Sequence, residues 1–178
     1  MILLILLISA ELELGAQQSQ ADWKLLTEIR ARAESGEAPF QFELALVFEN
    51  GHFGVTKDSA EAVKWYHKAA EQNFVMAQFN LAICYDYGQG VAKNSVEAAN
   101  WYRKAAQLNL AQAQSNLGYC YEMGQGTEMN EAEAVKWYRK AAEQNLATAQ
   151  NNLGLRYFDG NEVAPVSWTV VGQRAFGV

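Results

Sequence analysis

The chain has 178 residues, of which 50% are hydrophobic and 19% are charged, a composition typical of one folded domain rather than a disordered chain. Its 14 basic and 20 acidic side chains give a formal net charge of −6, and no basic run is interleaved with aromatic residues. A phosphate backbone would be repelled more than attracted, so we expect no nucleic-acid partner.

The first segment, residues 1–21, opens with an apolar run from Ile2 to Ile8. This run is too short to cross a bilayer, which takes about 20 residues, so we predict no integral membrane span. Two interpretations stay open. The segment is either a secretory signal cleaved after Ala10 or Ala16, although the usual basic residue before the apolar core is missing, or a first helix that docks on the fold. Export is slightly favoured over a cytoplasmic location.

The next segment, residues 22–37, carries Trp23, Leu26, Ile29 and Ala33 at helical spacing. This spacing predicts an amphipathic helix with these four residues on its apolar face. We interpret it as a half repeat at the start of a stack, because a terminal unit has to keep the outermost apolar face out of water.

A six-residue pattern, Trp-Tyr-x-Lys-Ala-Ala, then occurs three times at intervals of 36 residues, starting at Trp65, Trp101 and Trp137. A constant interval of this size indicates a stack of similar units rather than a domain with one central core. Only two prolines interrupt the chain, which fits a mostly helical solenoid.

An earlier helix precedes each later copy of this pattern and ends in a pair of glycines. Ala77, Leu81, Cys84 and Tyr85 fall on one face of that helix, which we expect to be buried. The aromatic and glycine residues that recur in these units are assigned to the structural framework. They are Trp65, Trp101, Trp137, Tyr85, Tyr121, Tyr157, Gly88, Gly90, Gly124 and Gly126.

The second helix of each unit has a start signal and a stop signal. An Asp or Asn stands three residues before a Glu, which predicts a capping box, and an Asn at the other end predicts a left-handed residue after the helix. The capping pairs are Asp58 with Glu61, Asn94 with Glu97 and Asn130 with Glu133, and the stop residues are Asn73, Asn109 and Asn145.

A fourth unit begins with Ala149 and Leu153 but then departs from the pattern, because Arg156 stands where earlier units have a cysteine. We therefore place the repeat region at residues 38–160 and a divergent tail at residues 161–178. The tail is either an irregular cap over the last helix or an extended segment that mediates self-association with a second copy.

The remaining residues offer little reaction chemistry. Cys84 and Cys120 lie one repeat apart, which is about 8 to 10 Å, whereas a disulfide needs Cα atoms within about 7 Å. We predict two free, buried thiols. His52 and His67 have no partner at metal-ligand or catalytic spacing and are interpreted as surface residues. The sequence thus predicts no metal site, no cofactor and no enzyme.

The two motifs together are Ala-x-Ala-Gln-x-x-Leu-Gly-x-x-Tyr-x-x-Gly-x-Gly and Ala-x-x-Trp-Tyr-x-Lys-Ala-Ala. At this period they resemble the Sel-one-like repeat (SLR), a relative of the tetratricopeptide repeat. The resemblance covers roughly Phe40 to Gly160 and implies an all-α, right-handed α-solenoid of antiparallel helix pairs, with about three full repeats and a half repeat at each end. The motif is carried here by Ala111, Ala113, Gln114, Leu117, Gly118, Tyr121, Gly124, Gly126, Ala134, Trp137, Tyr138, Lys140, Ala141 and Ala142.

The resemblance implies a scaffold or adaptor that binds a protein or peptide partner, with no activity in the repeat itself. Two alternatives are kept. Some cysteine-rich bacterial members of the family bind or slowly hydrolyse β-lactams, although their cysteines are paired within repeats and this chain has one cysteine in each of two repeats. The other alternative is a purely structural fragment that self-associates.

Three asparagines, Asn80, Asn116 and Asn152, recur every 36 residues at the border of the buried face. Because the asparagine side chain has a donor and an acceptor, it can bind a peptide backbone amide in bidentate fashion. We predict a peptide-binding groove along the concave side. The alternative is that each asparagine bonds the backbone of the adjacent repeat and fixes the superhelix. The other candidate binding residues are Ile83, Tyr119, Asp86 and Glu122.

Overall fold

The computed structural model describes residues 19–158, and within this range eight α-helices follow one another with no strand between them. Helix α1 covers residues 19–34. A short 3-10 turn, His52–Gly54, lies between the second and third helices. The other helices are α2 (Ala38–Asn50), α3 (Ser59–Glu71), α4 (Val75–Tyr87), α5 (Ser95–Gln107), α6 (Ala111–Met123), α7 (Glu131–Glu143) and α8 (Ala147–Phe158). The all-helical prediction is confirmed.

Two sets of predictions lie outside the described residues. They concern the signal peptide or docking helix at the amino terminus and the tail from residue 161 onward. The side chain of Tyr157 is also outside them. The division of the chain into segments stays a prediction.

The packing follows the order of the chain. From α2 to α8 every helix contacts the next one, most extensively within the pairs α2 with α3, α4 with α5, and α6 with α7. Contacts between successive neighbours are what a stack of helix pairs requires, whereas a central core would bring distant helices together. The solenoid prediction is confirmed.

The second helices α3, α5 and α7 bury the same residues in each repeat. Tyr66, Tyr102 and Tyr138 are fully buried, and the alanines beside them are no more than 2% exposed. Small alanine side chains let the neighbouring helices approach closely, while the tyrosine ring and the adjacent tryptophan fill the space between helices.

Lysines cover the outer faces of the tryptophans. The ammonium groups of Lys68 and Lys104 each lie 3.6 Å from the ring centroid of the tryptophan one turn earlier, Trp65 and Trp101 respectively. Lys140 lies 4.6 Å from the ring of Trp137 in the same way. Contacts of this kind are worth about 0.5 to 1 kcal/mol at exposed sites.

The second glycine of each loop sets how closely two repeats approach. A Cβ atom on Gly90 would lie 2.1 Å from the carbonyl oxygen of Ser59, and one on Gly126 would lie 1.9 Å from that of Ser95. Ser59 and Ser95 begin the second helix of the preceding repeat. The loop of each repeat therefore packs directly on the backbone of the preceding repeat, where only glycine leaves room.

The predicted left-handed residues are confirmed at the ends of the second helices. Asn73, Asn109 and Asn145 have φ angles of 61°, 66° and 62°. Each lies two residues beyond the end of its helix. An asparagine tolerates this conformation, and it turns the chain sharply into the next repeat.

The capping boxes are formed only in part. The Asp58 carboxylate accepts a hydrogen bond from the backbone N–H of Glu61 at 2.9 Å, as predicted. The return bond was predicted wrongly, because the Asp58 N–H donates to the carbonyl oxygen of Phe48 at 2.8 Å. The Glu61 carboxylate instead accepts from the indole N–H of Trp65 at 3.1 Å. The preceding helix thus supplies the acceptor that the glutamate would have provided.

Helix α1 buries Leu26, Ile29 and Ala33, as predicted. The assignment of Trp23 to the same face was wrong, because this side chain is 67% exposed. At 100° per residue, Trp23 lies about 60° to 120° round the helix from the three buried residues. It is therefore at the edge of the apolar face, where it stays exposed.

Candidate protein-binding face

The three predicted asparagines lie partly buried on the first helices α4, α6 and α8. The side-chain amide of Asn80 donates a hydrogen bond to the hydroxyl of Tyr66 at 3.1 Å. Asn80 thus bonds the preceding repeat, but through a tyrosine hydroxyl rather than through the backbone. The second amide hydrogen and the carbonyl oxygen of Asn80 have no partner within residues 19–158. The other two pairs are Asn116 with Tyr102 and Asn152 with Tyr138.

An acidic side chain lies next to each of these tyrosines, at the point where one repeat meets the next. The Tyr66 hydroxyl donates to Oε2 of Glu49 at 2.5 Å, and the Tyr138 hydroxyl donates to Oε2 of Glu122 at 2.6 Å. Burial, followed by these carboxylates, raises the pKa of both tyrosines, so the phenols stay protonated donors.

We call these three rows junctions, each with an acid, a tyrosine and an asparagine. At the second junction the aspartate side chain is one methylene shorter than glutamate, and its charge raises the pKa of the buried tyrosine after the larger effect of burial. The first junction is Glu49, Tyr66 and Asn80, the second is Asp86, Tyr102 and Asn116, and the third is Glu122, Tyr138 and Asn152.

An apolar row runs beside the asparagines. Ile83 is partly buried, Tyr119 is 45% exposed and Leu155 is 51% exposed, and all three occupy the same position in successive first helices. The row widens one turn further on, where Tyr87 is 70% exposed and Met123 is 50% exposed. Sequence reasoning missed these last two residues, although they too are 36 residues apart. Contiguous exposed apolar side chains are typical of a surface that contacts another molecule.

At the third junction, an arginine of the chain itself pairs with the carboxylate. Arg156 Nη2 lies 2.6 Å from Oε1 of Glu122, and both groups are mostly buried. The two oxygens of Glu122 therefore each have a partner, Tyr138 and Arg156. Glu122 thus joins two repeats, and its predicted contact with a ligand stays a prediction.

The cysteines are free and buried, as predicted. Burial raises the pKa of both Cys84 and Cys120 to about 11, so they are protonated and weakly nucleophilic at neutral pH. Of the two histidines, His67 packs edge-on against Trp101, with ring centroids 5.6 Å apart. Within residues 19–158, no three side chains of His, Cys, Asp or Glu are grouped closely enough to hold a metal ion.

None of the helices between residues 19 and 158 is long and apolar enough to cross a membrane.

The repeat motif is matched over most of the chain. Residues 38–74, 75–110, 111–146 and 147–167 each match the Sel1 repeat. The chain belongs to the Sel1 repeat family. The first three Sel1 repeats correspond to the helix pairs α2 with α3, α4 with α5, and α6 with α7, and the fourth begins with α8.

Solved structures with the same fold support this assignment. A protective antigen of uropathogenic Escherichia coli strains that displays an SLR fold is 42% identical, with a TM-score of 0.73 over 76% of this chain. The alignment covers only 29% of that protein. A Sel1 repeat protein from Oxalobacter formigenes is 36% identical, with a TM-score of 0.67, over 72% of this chain and 96% of that one.

A third structure, cysteine rich protein B of Helicobacter pylori, is 25% identical, with a TM-score of 0.58. The alignment covers 76% of this chain and 96% of that one. Among curated proteins, none matches this chain.

Proposed function

We propose that this protein is a non-enzymatic scaffold that binds an extended segment of a partner protein along α4, α6 and α8. Sel1 repeats are protein-interaction units in general. The observation that carries the proposal is the regular row on these helices, where a partly unsatisfied asparagine and an exposed apolar side chain recur in successive repeats.

The asparagine amides suit a peptide backbone. The Tyr66 hydroxyl takes one amide hydrogen of Asn80 and so fixes the orientation of the side chain, which leaves the other hydrogen and the oxygen for a ligand. Successive repeats are about 8 to 10 Å apart, and an extended chain rises about 3.3 Å per residue. Every third residue of a bound segment would therefore meet an equivalent site.

The apolar row supplies the contact area. Ile83, Tyr119 and Leu155 would accept the side chains of the segment, and Asp86 offers a carboxylate beside them. Peptide recognition of this kind combines backbone hydrogen bonds for affinity with side-chain contacts for specificity.

The experiment is panning of a random-peptide display library against the protein. Changing Tyr119→Asp and Leu155→Asp together should remove the enrichment of peptides, because it replaces two apolar contacts of the row by charges. Both side chains are exposed, so we expect the fold to stay intact. The matched control is Val96→Asp. Val96 lies on α5 and is 56% exposed, and this variant should bind peptides as the unmodified protein does. Equal enrichment with the double variant would refute the proposal.

Replacing the three asparagines by alanine is a less discriminating test. The change would also remove a donor from each buried tyrosine hydroxyl, such as that of Tyr66. Loss of binding could then follow from altered packing between repeats rather than from loss of a ligand contact. The exposed apolar residues avoid this ambiguity.

The β-lactam alternative depends on intrachain disulfides. Cys84 and Cys120 are the two cysteines of the chain, and both are free in the structure. Two thiols titrated in the unfolded protein without reductant would count against that alternative, and one disulfide would support it.

We also propose that the protein is exported and that its tail mediates self-association. The similar Escherichia coli protein is a protective antigen, which supports an exported location for this chain. The amino-terminal sequence of the mature protein tests export, since it should begin after Ala10 or Ala16. Its mass in solution tests self-association, because a monomer would contradict it.

A further inference from the structure

The first and third junctions share one geometry with one difference. At the third junction Glu122 accepts the Tyr138 hydroxyl on Oε2 and pairs with Arg156 through Oε1. At the first junction Glu49 accepts the Tyr66 hydroxyl on Oε2 in the same way. Its Oε1 has no hydrogen-bond partner within residues 19–158. The first junction therefore keeps the carboxylate and lacks the guanidinium.

The space that an arginine would occupy is present at the first junction. Cys84 stands where the third junction has Arg156, and together with Glu49 it lines a cavity of about 190 Å³. Glu49, which lines the cavity, lies near the end of α2 and accepts the hydroxyl of Tyr66, which also accepts the amide of Asn80. Its lining residues are Glu49, Lys57, Ser59, Ala62, Cys84 and Gln89.

We propose that this cavity binds the guanidinium of an arginine side chain from the bound partner segment. This inference rests on the proposed function, because the arginine belongs to that segment. One N–H of the guanidinium meets Oε1 of Glu49, as Arg156 meets Glu122 at the third junction. Ser59 and Gln89 line the same cavity, and each has a side-chain oxygen that can accept an N–H group. A planar fork of donors matches such a set better than an ammonium does.

One charge at the cavity opposes an incoming arginine, and it differs between the first and third junctions. Lys57 also lines the cavity, but it is exposed and makes no ion pair with Glu49 within 4 Å. At the third junction, where the guanidinium is present, Met129 stands in the position of this lysine. The positive charge of Lys57 opposes an incoming cation, so its removal should strengthen binding.

The test uses N-acetyl-L-arginine amide as the probe and follows the backbone amide signals of Ser59 and Ala62 by NMR. We expect saturable shifts at these residues. The matching citrulline amide has the same shape without the charge and should cause no such shifts. The lysine amide should bind more weakly than the arginine amide, because it offers no planar fork.

Two variants of the cavity sharpen the test. Glu49→Gln keeps an oxygen for the Tyr66 hydroxyl and should weaken arginine binding by about tenfold or more, since charge-assisted hydrogen bonds are lost. Lys57→Met should strengthen it several-fold. Equal binding by Glu49→Gln, or equal shifts with citrulline, would overturn the inference.

The outcome can be separated from that of the proposed function. The Tyr119→Asp and Leu155→Asp double variant should still bind the arginine amide, because the cavity lies at the other end of the row. If peptides are selected but the amide does not bind, this inference fails alone. If the amide binds but no peptide is ever selected, the proposed function fails and the cation site stands.

Discussion

The end of the second helix is built differently in the middle repeat from the repeats on either side. In the two outer repeats a glutamine beyond the helix donates its side-chain amide to the buried glutamine of the first helix. Each bond holds the two helices of one repeat together at their ends. The bonds are Gln72 to Gln41 at 2.7 Å and Gln144 to Gln114 at 2.8 Å.

The middle repeat has Leu108 at the equivalent position. Its buried glutamine, Gln78, still donates to the carbonyl oxygen of Ala70 at 3.1 Å, but its Oε1 atom is buried and has no partner among residues 19–158. A buried acceptor without a partner costs about 1 to 3 kcal/mol. Leu108, which cannot donate, is itself 49% exposed.

The middle repeat nevertheless keeps the same architecture. Its helices α4 and α5 each have 13 residues, as do their counterparts in the outer repeats. Asn109 keeps the left-handed conformation of Asn73 and Asn145. The glutamine bond therefore adds stability to a frame that alanine packing and glycine contacts already define.

The largest effect should come from breaking that common frame. Gly126→Ala places a Cβ atom 1.9 Å from the carbonyl oxygen of Ser95 at a positive φ, so the loop has to move. We expect a loss of about 4 kcal/mol or more in the free energy of unfolding. Gly54→Ala is the control, because it has a φ of 73° but nothing within 4 Å, and should cost about 1 kcal/mol. Similar losses in urea titrations would contradict the role of the close contact.

Alkaline pH should lower the free energy of unfolding, because the middle and last full repeats each have one buried thiol. Burial raises the pKa of Cys84 and Cys120 to about 11, so the unfolded chain loses these protons first. Stability is therefore intact below about pH 8.5 and falls as the pH rises toward 11, by about 2 to 3 kcal/mol for both thiols at pH 10.

Unfolding titrations at pH 8 and pH 9.5 measure this slope where the thiols contribute more than the tyrosines, whose ordinary pKa is about 10. The Cys84→Ala and Cys120→Ala double variant should have a smaller decrease between these two pH values. An unchanged decrease would show that the thiols are not the groups that titrate.

A smaller loss of stability should follow when one outer repeat is given the leucine of the middle repeat. Gln144→Leu leaves Oε1 of Gln114 buried without its donor, so we expect a loss of about 2 kcal/mol in the free energy of unfolding. The control is Gln107→Leu, an exposed residue at the end of α5, which should change stability by less than about 0.5 kcal/mol. Equal effects would mean that the glutamine bond contributes nothing.

The smallest effect is the reverse conversion. Leu108→Gln gives the buried oxygen of Gln78 a donor and should add about 1 kcal/mol, less than Gln144→Leu removes, because the new side chain loses rotamer freedom. In a Gln78→Leu background the same change should add nothing. A gain that persists in that background would place its origin elsewhere.

Much of the fold could be predicted from the sequence because the 36-residue interval repeats every local signal. The stop residues such as Asn73 and the N-cap Asp58 act within a few residues of their own helix, so their effect can be inferred without coordinates. Trp23 could not be placed in this way, since helical spacing alone does not show where the buried face of α1 ends.

The candidate site was less predictable, because its contacts join residues from different repeats. Asn80 and Tyr66 are 14 residues apart, and the pairing of Glu122 with Arg156 spans 34 residues. The sequence does show that Arg156 breaks the cysteine pattern. It does not show which carboxylate the arginine meets, since that depends on the stagger between helices.

The central claim is that a partner segment binds along the first helices, and hydrogen–deuterium exchange tests it most directly. With a selected peptide bound, backbone amides in α4, α6 and α8 should exchange more slowly, while those on the outer faces of α3, α5 and α7 should be unchanged. Protection confined to α3, α5 and α7 would contradict the account.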